Sequence, residues 1–335
     1  MSAVRLSTGE LASPAPQHLQ GGSGVPLEPL SRTPFQPRAF TVLGGSVLAV
    51  PQQAYIPQPH PRRLAIKRPA GHMLPTVGLG VYKSASGGEC YASVLSALRL
   101  GYRHIDTAQI CEQEAAADVA VADSGVPRGE IFLTTKMWLS NWGYDKAAAG
   151  VRQSLAELGT LYVDLFLLHA PGDPGLRAET WRALEDAQKE GLIRSIGVSN
   201  FGIPHLKKLA QSAAVQPAVN QIEVHPWLQR RELVAHCKAE GIVVEAYSPL
   251  AKAQKLADPA VGAIARRLGV SPAQVLIRWS LQKGLVPLPK SNNPDRQRSN
   301  LDVLRFELSA ADMAALEGLE EGLITGWDPI SDAPV

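Results

Sequence analysis

From about residue 64 onward, short runs of Ile, Val and Leu alternate with longer stretches rich in Ala, Leu, Glu and Lys. Short continuous apolar runs are typical of parallel strands buried on both faces, and the longer stretches are typical of helices. The pattern predicts strands at 74–80, 103–107, 131–136, 163–169, 194–198, 217–222, 242–247 and 285–289. It predicts helices at 87–100, 112–123, 145–158, 178–190, 204–212, 230–240, 257–268, 272–283 and 309–319.

Eight strands with intervening helices over about 260 residues predict an α/β fold of the (β/α)8 TIM-barrel type. The segment LAIKRPAGHML in front of the first strand predicts an N-terminal hairpin. The alternative is an open doubly wound sheet, which normally carries a glycine-rich phosphate loop after its first strand. Here VGLGVYK supplies Gly78 and Gly80, but Lys83 stands where a third glycine is expected.

Residues 1–62 differ in composition from the rest of the chain, because they contain ten of its 26 prolines. Proline removes backbone donors and restricts its neighbours, so we expect a disordered Pro/Gly-rich extension followed by a barrel domain at 63–335. An organelle-targeting peptide and a misassigned start codon are the alternatives for the extension.

Composition excludes few functions but makes some partners less favoured. A formal net charge of +2 produces no strong overall field, so we expect neither nucleic acid nor a membrane as partner. No apolar run reaches the roughly 20 residues that cross a bilayer. The cysteines Cys90, Cys111 and Cys237 are too widely spaced for a metal or disulfide framework. We expect a cytoplasmic monomer without a metal that acts on a small molecule.

Three ionisable residues stand at the ends of successive predicted strands, namely Asp106, Lys136 and His169. In a (β/α)8 barrel the carboxyl ends of the strands meet at one mouth, where functional residues gather. A buried Asp and Lys are expected to pair, and such a pair shifts the pKa of a neighbouring reacting group. His169 can donate a hydrogen bond to a substrate oxygen. The alternative is a structural salt bridge beside a core histidine.

Neutral polar and aromatic side chains follow at later strand ends. Ser199, Asn200 and Gln221 offer the donors and acceptors that a carboxamide needs, and Tyr247 offers a flat face for stacking a ring. Ordinary loop capping is the alternative for each of the three polar residues, and for Ser199 alone it is the favoured one.

A polar and basic cluster follows the last predicted strand and consists of Lys290, Ser291, Asn292 and Arg296. Barrels often bind phosphate at this position through helix N-terminal amides and basic side chains. A solvated charged turn would have the same composition, so the cluster alone does not decide between the two.

In this order and spacing the motifs GYRHIDTAQ, FLTTKMW, VDLFLLHAP, IGVSNF, AVNQIEVHP, AYSPL and PKSNNPDRQRSN resemble those of the aldo-keto reductase superfamily. The resemblance covers about residues 64–327. It implies a barrel that binds NADP(H) in extended form and reduces aldehydes or ketones to alcohols. The implied enzyme is similar to aldose and diketogluconate reductases, of the alcohol dehydrogenase (NADP+) or alditol dehydrogenase type.

The resemblance also implies roles for individual residues. Asp106, Lys136 and His169 match three members of the family's catalytic tetrad. The positions that match cofactor-binding residues are Ser199, Asn200, Gln221, Tyr247, Ser248, Pro249, Leu250, Lys290, Ser291, Asn292, Arg296 and Asn300. The substrate pocket is expected to be lined by Tyr82, Trp138 and His169.

One position departs from the family pattern. The fourth tetrad member is a tyrosine that gives the proton to the reduced carbonyl, and its position here holds Cys111. A thiol beside an ammonium favours the thiolate, which has no proton to give, and cysteine is also shorter than tyrosine. Water, His169 or Tyr82 must then supply the proton, or turnover is impaired.

Three hypotheses follow from the departure at Cys111. The leading one is an NADPH-dependent carbonyl reductase whose activity is reduced. The second is an NADP(H)-binding barrel with little turnover, which acts as a regulatory or partner-binding module. The third is a redox-sensitive thiol at Cys111 that gates the site.

Overall fold

The computed structural model describes residues 63–65, 73–82, 84, 88–111 and 114–335; for residues 63–65 and 111 it describes the backbone only. The proline-rich extension at 1–62 lies outside these residues. The predicted disorder of the extension and the predicted domain boundary therefore stay predictions.

The described chain begins with a hairpin and continues into a parallel barrel. The hairpin strands β1 (Arg63–Ala65) and β2 (Met73–Pro75) are antiparallel, with Leu64 opposite Leu74. The barrel strands are β3 Leu79–Gly80, β4 His104–Asp106, β5 Phe132–Met137, β6 Leu165–Leu168, β7 Ile196–Ser199, β8 Val219–Glu223, β9 Val243–Tyr247 and β10 Val286–Leu288.

Each barrel strand pairs in parallel with the next one in the chain. The first and last strands are joined by hydrogen bonds from Gly78 N to Pro287 O (3.1 Å) and from Gly80 N to Pro289 O (3.2 Å). The predicted (β/α)8 barrel is confirmed, and the open-sheet alternative is excluded.

Helices cover the outside of the barrel and return the chain to the start of each next strand. They are α1 Gly88–Leu100, α2 Glu114–Asp123, α3 Tyr144–Glu157, α4 Pro174–Lys189, α5 Ile203–Ala210, α6 Arg231–Ala239, α7 Pro259–Leu268, α8 Pro272–Gln282, α9 Pro294–Leu301, α10 Ala310–Glu317 and α11 Pro329–Asp332. In α4, α7, α8 and α9 a proline follows an Asp, Ser or Asn whose side chain accepts a backbone N–H. This sequence signature starts helices because proline needs no donor in the first turn.

The structure divides one predicted strand and has two helices, α9 and α11, that the predicted set does not contain. The predicted strand at 74–80 is divided, because Leu74 and Pro75 pair in the hairpin and only Leu79 and Gly80 enter the barrel. For α9 the sequence indicated only a helix entry at 293–296 and gave no extent, since the stretch PDRQRSNL has almost no apolar residues to give a periodic signal.

Apolar side chains fill the lower part of the barrel. A buried cluster inside it contains Leu74, Phe132, Leu165, Leu167 and Val219, among others. Leu74 comes from β2, so the hairpin packs against the N-terminal end of the barrel. This end of the barrel is therefore apolar. The polar residues at the carboxyl ends of the strands lie at the opposite mouth. Among the described residues no helix is long and apolar enough to span a membrane.

Gly197 in β7 faces this apolar cluster, and we expect Gly197→Ala to destabilise the fold. A Cβ at this position would lie 2.7 Å from Leu167 Cδ2 and 2.7 Å from Val219 O, and the latter is a backbone atom of the sheet. Overpacking of this kind costs about 1–3 kcal/mol, which thermal unfolding will show as a lower Tm. Gly129→Ala is the matched control, since a Cβ there meets no atom within 4 Å. Equal Tm values for the two variants would contradict the expectation.

Candidate active site

The mouth of the barrel opens into a cavity of about 1370 Å³. Its wall contains all of the predicted site residues whose side chains the structure describes. At Cys111 the structure describes only the backbone, which ends the short 3-10 turn Gln109–Cys111. Residues at or directly after the ends of all eight barrel strands are therefore brought together around one cavity.

Asp106 and Lys136 form a buried ion pair at the floor of the cavity. Lys136 Nζ donates to Asp106 Oδ1 at 2.6 Å and to Thr107 O at 2.9 Å. Both side chains are less than one-tenth exposed, at 7% for Lys136 and 9% for Asp106. An ammonium has three N–H groups, so one N–H of Lys136 remains for a group bound in the cavity.

A second buried carboxyl group, that of Glu245, lies near this pair and was not among the predicted site residues. Glu245 in β9 is fully buried, and its Oε1 lies 3.8 Å from His104 Nε2. Burial raises the pKa of Glu245 to about 8, with a further contribution from the negative charge of Asp106. Burial lowers the pKa of His104 to about 4, so that this ring is neutral.

His104, Asp106 and Glu245 are close enough that one oxygen or nitrogen of each lies within 4.8 Å of the others. Such a set can resemble a metal site. The cation beside these carboxyl groups is the Lys136 ammonium, and Gln221 Nε2 donates to both carboxyl groups at 2.8 Å. The cluster therefore belongs to the ion pair, and it supports no metal site.

His169 lies in the cavity wall next to Trp138, whose ring meets it edge to face at a centroid distance of 5.0 Å. Burial, and after it the charge of Lys136, lowers the pKa of His169 to about 3. The imidazole is thus neutral over the physiological range. A neutral imidazole offers one N–H as a hydrogen-bond donor.

We expect His169 to stay neutral from pH 5 to pH 8. Protonation would place a second positive charge at a buried position next to Lys136, so it occurs only near the lowered pKa. Imidazole ¹⁵N chemical shifts followed by NMR from pH 4 to pH 8 will test this, with His169→Asn used to assign the signal. A titration midpoint near the ordinary histidine value of about 6.5 would contradict it.

The neutral polar residues of the wall are linked to one another. Tyr247 OH donates to Asn200 Oδ1 at 2.8 Å, and Asn200 Nδ2 donates to His169 O at 3.0 Å. Ser199 Oγ donates to Gln221 O at 2.8 Å. These bonds hold the side chains in fixed positions before any ligand binds.

The loop after β9 continues the wall with Ser248, Pro249 and Leu250. Ser248 has a positive φ of 48°, and the following turn Ala251–Ala253 also has positive φ angles at non-glycine residues. A left-handed conformation of this kind is unusual for such residues and is frequent at ligand-binding loops.

The far end of the cavity is polar and basic. Lys290 and Arg296 are exposed, while Ser291 and Asn300 are buried. Asn293 caps α9 by accepting a hydrogen bond from Arg296 N at 2.9 Å. Ser84 Oγ donates to Asn292 Oδ1 at 3.0 Å. The exposed cations and the start of α9 together form a surface suited to a phosphate.

The C-terminal segment supplies part of the wall, although its Trp327 was not among the predicted pocket residues. Trp327 lines the cavity with its ring centroid 6.4 Å from that of Trp138. The segment is held by hydrogen bonds from Thr325 to the carboxylate of Glu223 and from Lys252 Nζ to Thr325 O at 2.7 Å. Trp327 has no neighbours in sequence that mark it as functional, so only the fold identifies it.

Sequence analysis also missed Gln109, which holds Trp138 in place. Gln109 Oε1 accepts from Trp138 N at 2.9 Å and from Asn141 Nδ2 at 3.0 Å. Its Nε2 donates to Gly150 O and to Ser154 Oγ. The turn that ends at Cys111 is therefore tied to the loop that carries an aromatic wall of the cavity.

Comparison with known proteins agrees with this geometry. The profile of the Aldo/keto reductase family matches residues 76–321. An aldo-keto reductase of Mycolicibacterium vanbaalenii is 50% identical over 257 residues, which cover 76% of this chain and 92% of that protein. The glyoxal reductase of Bacillus subtilis is 42% identical over 264 residues, which cover 79% and 95% of the two chains.

A solved structure shows the same fold. The crystal structure of a Bombyx mori aldo-keto reductase in complex with NADP superposes with a TM-score of 0.76 and 33% identity, covering 82% of this chain and 97% of that one. The family match and the relatives together establish what the motifs implied: the chain belongs to the aldo/keto reductase family of oxidoreductases.

Proposed function

We propose that this protein is an NADPH-dependent reductase of aldehydes and ketones, with an activity that is limited by Cys111. The observation that carries the proposal is the buried Lys136–Asp106 pair at the floor of a large cavity, with one N–H of Lys136 left for a ligand. The structure of a Bombyx mori relative in complex with NADP supports the choice of cofactor.

The cavity has the donors, acceptors and charges that an extended dinucleotide needs. The carboxamide would be held by Ser199, Asn200 and Gln221, and Tyr247 would stack on the nicotinamide ring. The pyrophosphate would lie along Ser248, Pro249 and Leu250. The residues for the adenosine end and its 2′-phosphate would be Lys290, Ser291, Asn292, Arg296 and Asn300. When bound, NADPH supplies the hydride that reduces the carbonyl carbon.

Lys136 and His169 would act on the carbonyl oxygen. Lys136 and His169 both line the cavity, so the remaining N–H of Lys136 and the N–H of the neutral imidazole would donate to an oxygen bound between them. Donors fixed in advance stabilise the negative charge that develops on that oxygen. Asp106 acts through Lys136, because its carboxylate holds the ammonium in position.

The proton that completes the alcohol would come from water. Because its pKa is lowered, His169 is neutral, and a neutral ring donates a hydrogen bond but carries no imidazolium proton to transfer. Tyr82 is 55% exposed at the rim and remains a second source. A water molecule is not held in place as a fixed tyrosine is, and this is why we expect slow turnover.

The substrate side of the cavity is largely apolar. Tyr82, Ile110, Trp138 and Trp327 border it, and three of them are more than two-fifths exposed: Tyr82 55%, Ile110 43% and Trp327 51%. These surfaces suit an aldehyde with an aromatic or aliphatic body. The relative from Bacillus subtilis is a glyoxal reductase, so small dicarbonyl compounds are a further class to assay.

The proposal is tested by NADPH binding and by NADPH oxidation with a reactive aromatic aldehyde. We expect binding, measured by calorimetry or by quenching of tryptophan fluorescence, and a slow but measurable oxidation that depends on the aldehyde. Failure to bind NADPH would overturn the proposal.

A second candidate function is an NADP(H)-binding barrel that hardly turns over and acts as a regulatory or partner-binding module. Cys111 is the observation that favours it. This candidate predicts tight NADPH binding with no detectable turnover for any aldehyde or ketone, so brisk reduction removes it.

The basic end of the cavity is expected to select NADPH over NADH. Lys290 and Arg296 are exposed, so their charges are not desolvated in the free protein. Together they can neutralise a 2′-phosphate. Replacing both by alanine should raise the KM for NADPH by about 10–100-fold, since hydrogen bonds to charged groups contribute about 1.5–3 kcal/mol. The KM for NADH should change little. A parallel loss for both cofactors would contradict a role in 2′-phosphate recognition.

A further inference from the structure

Gln221 lies between two buried carboxyl groups. Its Nε2 donates to Asp106 Oδ2 at 2.8 Å and to Glu245 Oε2 at 2.8 Å. Gln221 and Glu245 are direct partners in the parallel register of β8 and β9, while Asp106 reaches them from β4 across the barrel. Counted over the whole residue, the exposed fractions are 3% for Gln221, 0% for Glu245 and 7% for Asp106.

These two hydrogen bonds decide how the amide of Gln221 is turned. A primary amide carries two N–H groups on nitrogen, and here both are used by carboxyl oxygens. The reverse orientation would place the amide oxygen against the carboxylate of Asp106, which is unfavourable because two buried acceptors would face each other. Gln221 Oε1 must therefore face the cavity, where no donor from the described part of the chain reaches it.

Glu245 can accept the hydrogen bond from Gln221 Nε2 whether its carboxyl group is neutral or charged. The groups around it are His104, which is neutral, the carboxylate of Asp106 and the ammonium of Lys136. Burial favours the protonated form of Glu245, whereas Asp106 is the partner of Lys136. The carbonyl oxygen of a protonated carboxyl group still accepts a hydrogen bond from Gln221.

We propose that Glu245 is a positioning residue: together with Asp106 it clamps the amide of Gln221 so that Oε1 faces the cavity as an acceptor for the carboxamide N–H of the nicotinamide. The inference rests on the proposed function, because it concerns the same cofactor. Loss of the clamp frees one N–H of Gln221 and allows the amide to rotate. The nicotinamide end of the cofactor is then bound less firmly, while the adenosine end is unaffected.

The experiment compares Glu245→Met, which keeps the length of the side chain but removes the acceptor, with Glu245→Gln, which keeps an acceptor oxygen. Binding constants are measured for NADPH and for 2′-phospho-adenosine diphosphate ribose, the same molecule without its nicotinamide ring. We expect Glu245→Met to weaken NADPH binding by about tenfold, since one hydrogen bond contributes about 1.4 kcal/mol, and to lower kcat. Binding of the ring-free fragment should be unchanged, and Glu245→Gln should resemble the natural protein.

The fragment separates positioning from a general structural effect. Equal losses for NADPH and the fragment in Glu245→Met, or no loss for either, would overturn the inference while leaving the proposed function intact. If the natural protein binds the fragment but not NADPH, or binds neither, the proposed function itself fails. If the Glu245→Met variant does not fold, Glu245→Val serves as a second apolar variant. It is judged by the same comparison, the binding constant for NADPH relative to that for the fragment.

Discussion

Replacement of Lys136 by methionine should lower kcat/KM for aldehyde reduction by about 10²–10⁴-fold, because the site loses the only fixed cation at its floor among the described residues. NADPH binding should change by only a few fold, since the predicted cofactor contacts lie along other parts of the wall. Steady-state kinetics with NADPH and an aromatic aldehyde will measure the first quantity, and calorimetry the second.

The single variant leaves Asp106 buried without its cation, which can cost about 3–5 kcal/mol of stability. The double variant Asp106→Asn/Lys136→Met removes both charges and separates loss of folding from loss of chemistry. Lys189→Met is the matched surface control, because Lys189 pairs with Asp186 but is 68% exposed. If the double variant folds and retains the activity of the natural protein, the ion pair has only a structural role.

Replacement of Cys111 by tyrosine should raise kcat by about 10²–10⁴-fold, which is the range that a positioned general acid contributes. The expected reason is that a phenol at the fourth tetrad position would stand close to Lys136 and give the proton directly to the reduced oxygen. NADPH oxidation under saturating aldehyde will measure the gain. Cys111→Ser is the control, since it changes the thiol without adding a phenol and should leave the rate low.

If the natural protein reduces the aldehyde rapidly and Cys111→Tyr raises the rate only slightly, another group already donates the proton. The variants Tyr82→Phe and His169→Asn would then identify that group. A natural protein with no measurable turnover that tyrosine makes active would favour the cofactor-binding module as its present function. The redox-thiol hypothesis is tested separately by thiol labelling of Cys111 with and without NADPH, and a Cys111 that never reacts counts against it.

The barrel was predictable because its signal is repeated. Eight short apolar runs with helical stretches between them indicate parallel strands buried on both faces, and hydrogen bonds between the first and last strands confirm the closed form. The site could also be predicted from the sequence, because the carboxyl ends of the strands in this fold meet at one mouth. Asp106, Lys136 and His169 line a single cavity there.

Residues outside the strand-end pattern were not predictable. Glu245 reads as one acid within the apolar run IVVEAY, and its importance depends on lying opposite Gln221 in β8. Trp327 comes from a C-terminal segment whose position depends on distant contacts, such as those of Thr325 with Glu223. No local pattern encodes which strands become neighbours of a given side chain across the barrel.

The amino-acid sequence by itself determined the alternation of strands and helices, the family and the residue types at the strand ends, since these follow from local periodicity and from motif spacing. Only the tertiary structure decided which polar atoms meet and how they are turned. The Lys136 ammonium with one remaining N–H, the neutral ring of His169 and the clamped amide of Gln221 all result from burial beside partners far away in the chain. Burial removes water as an alternative partner, so the positions of those neighbours determine both protonation and orientation.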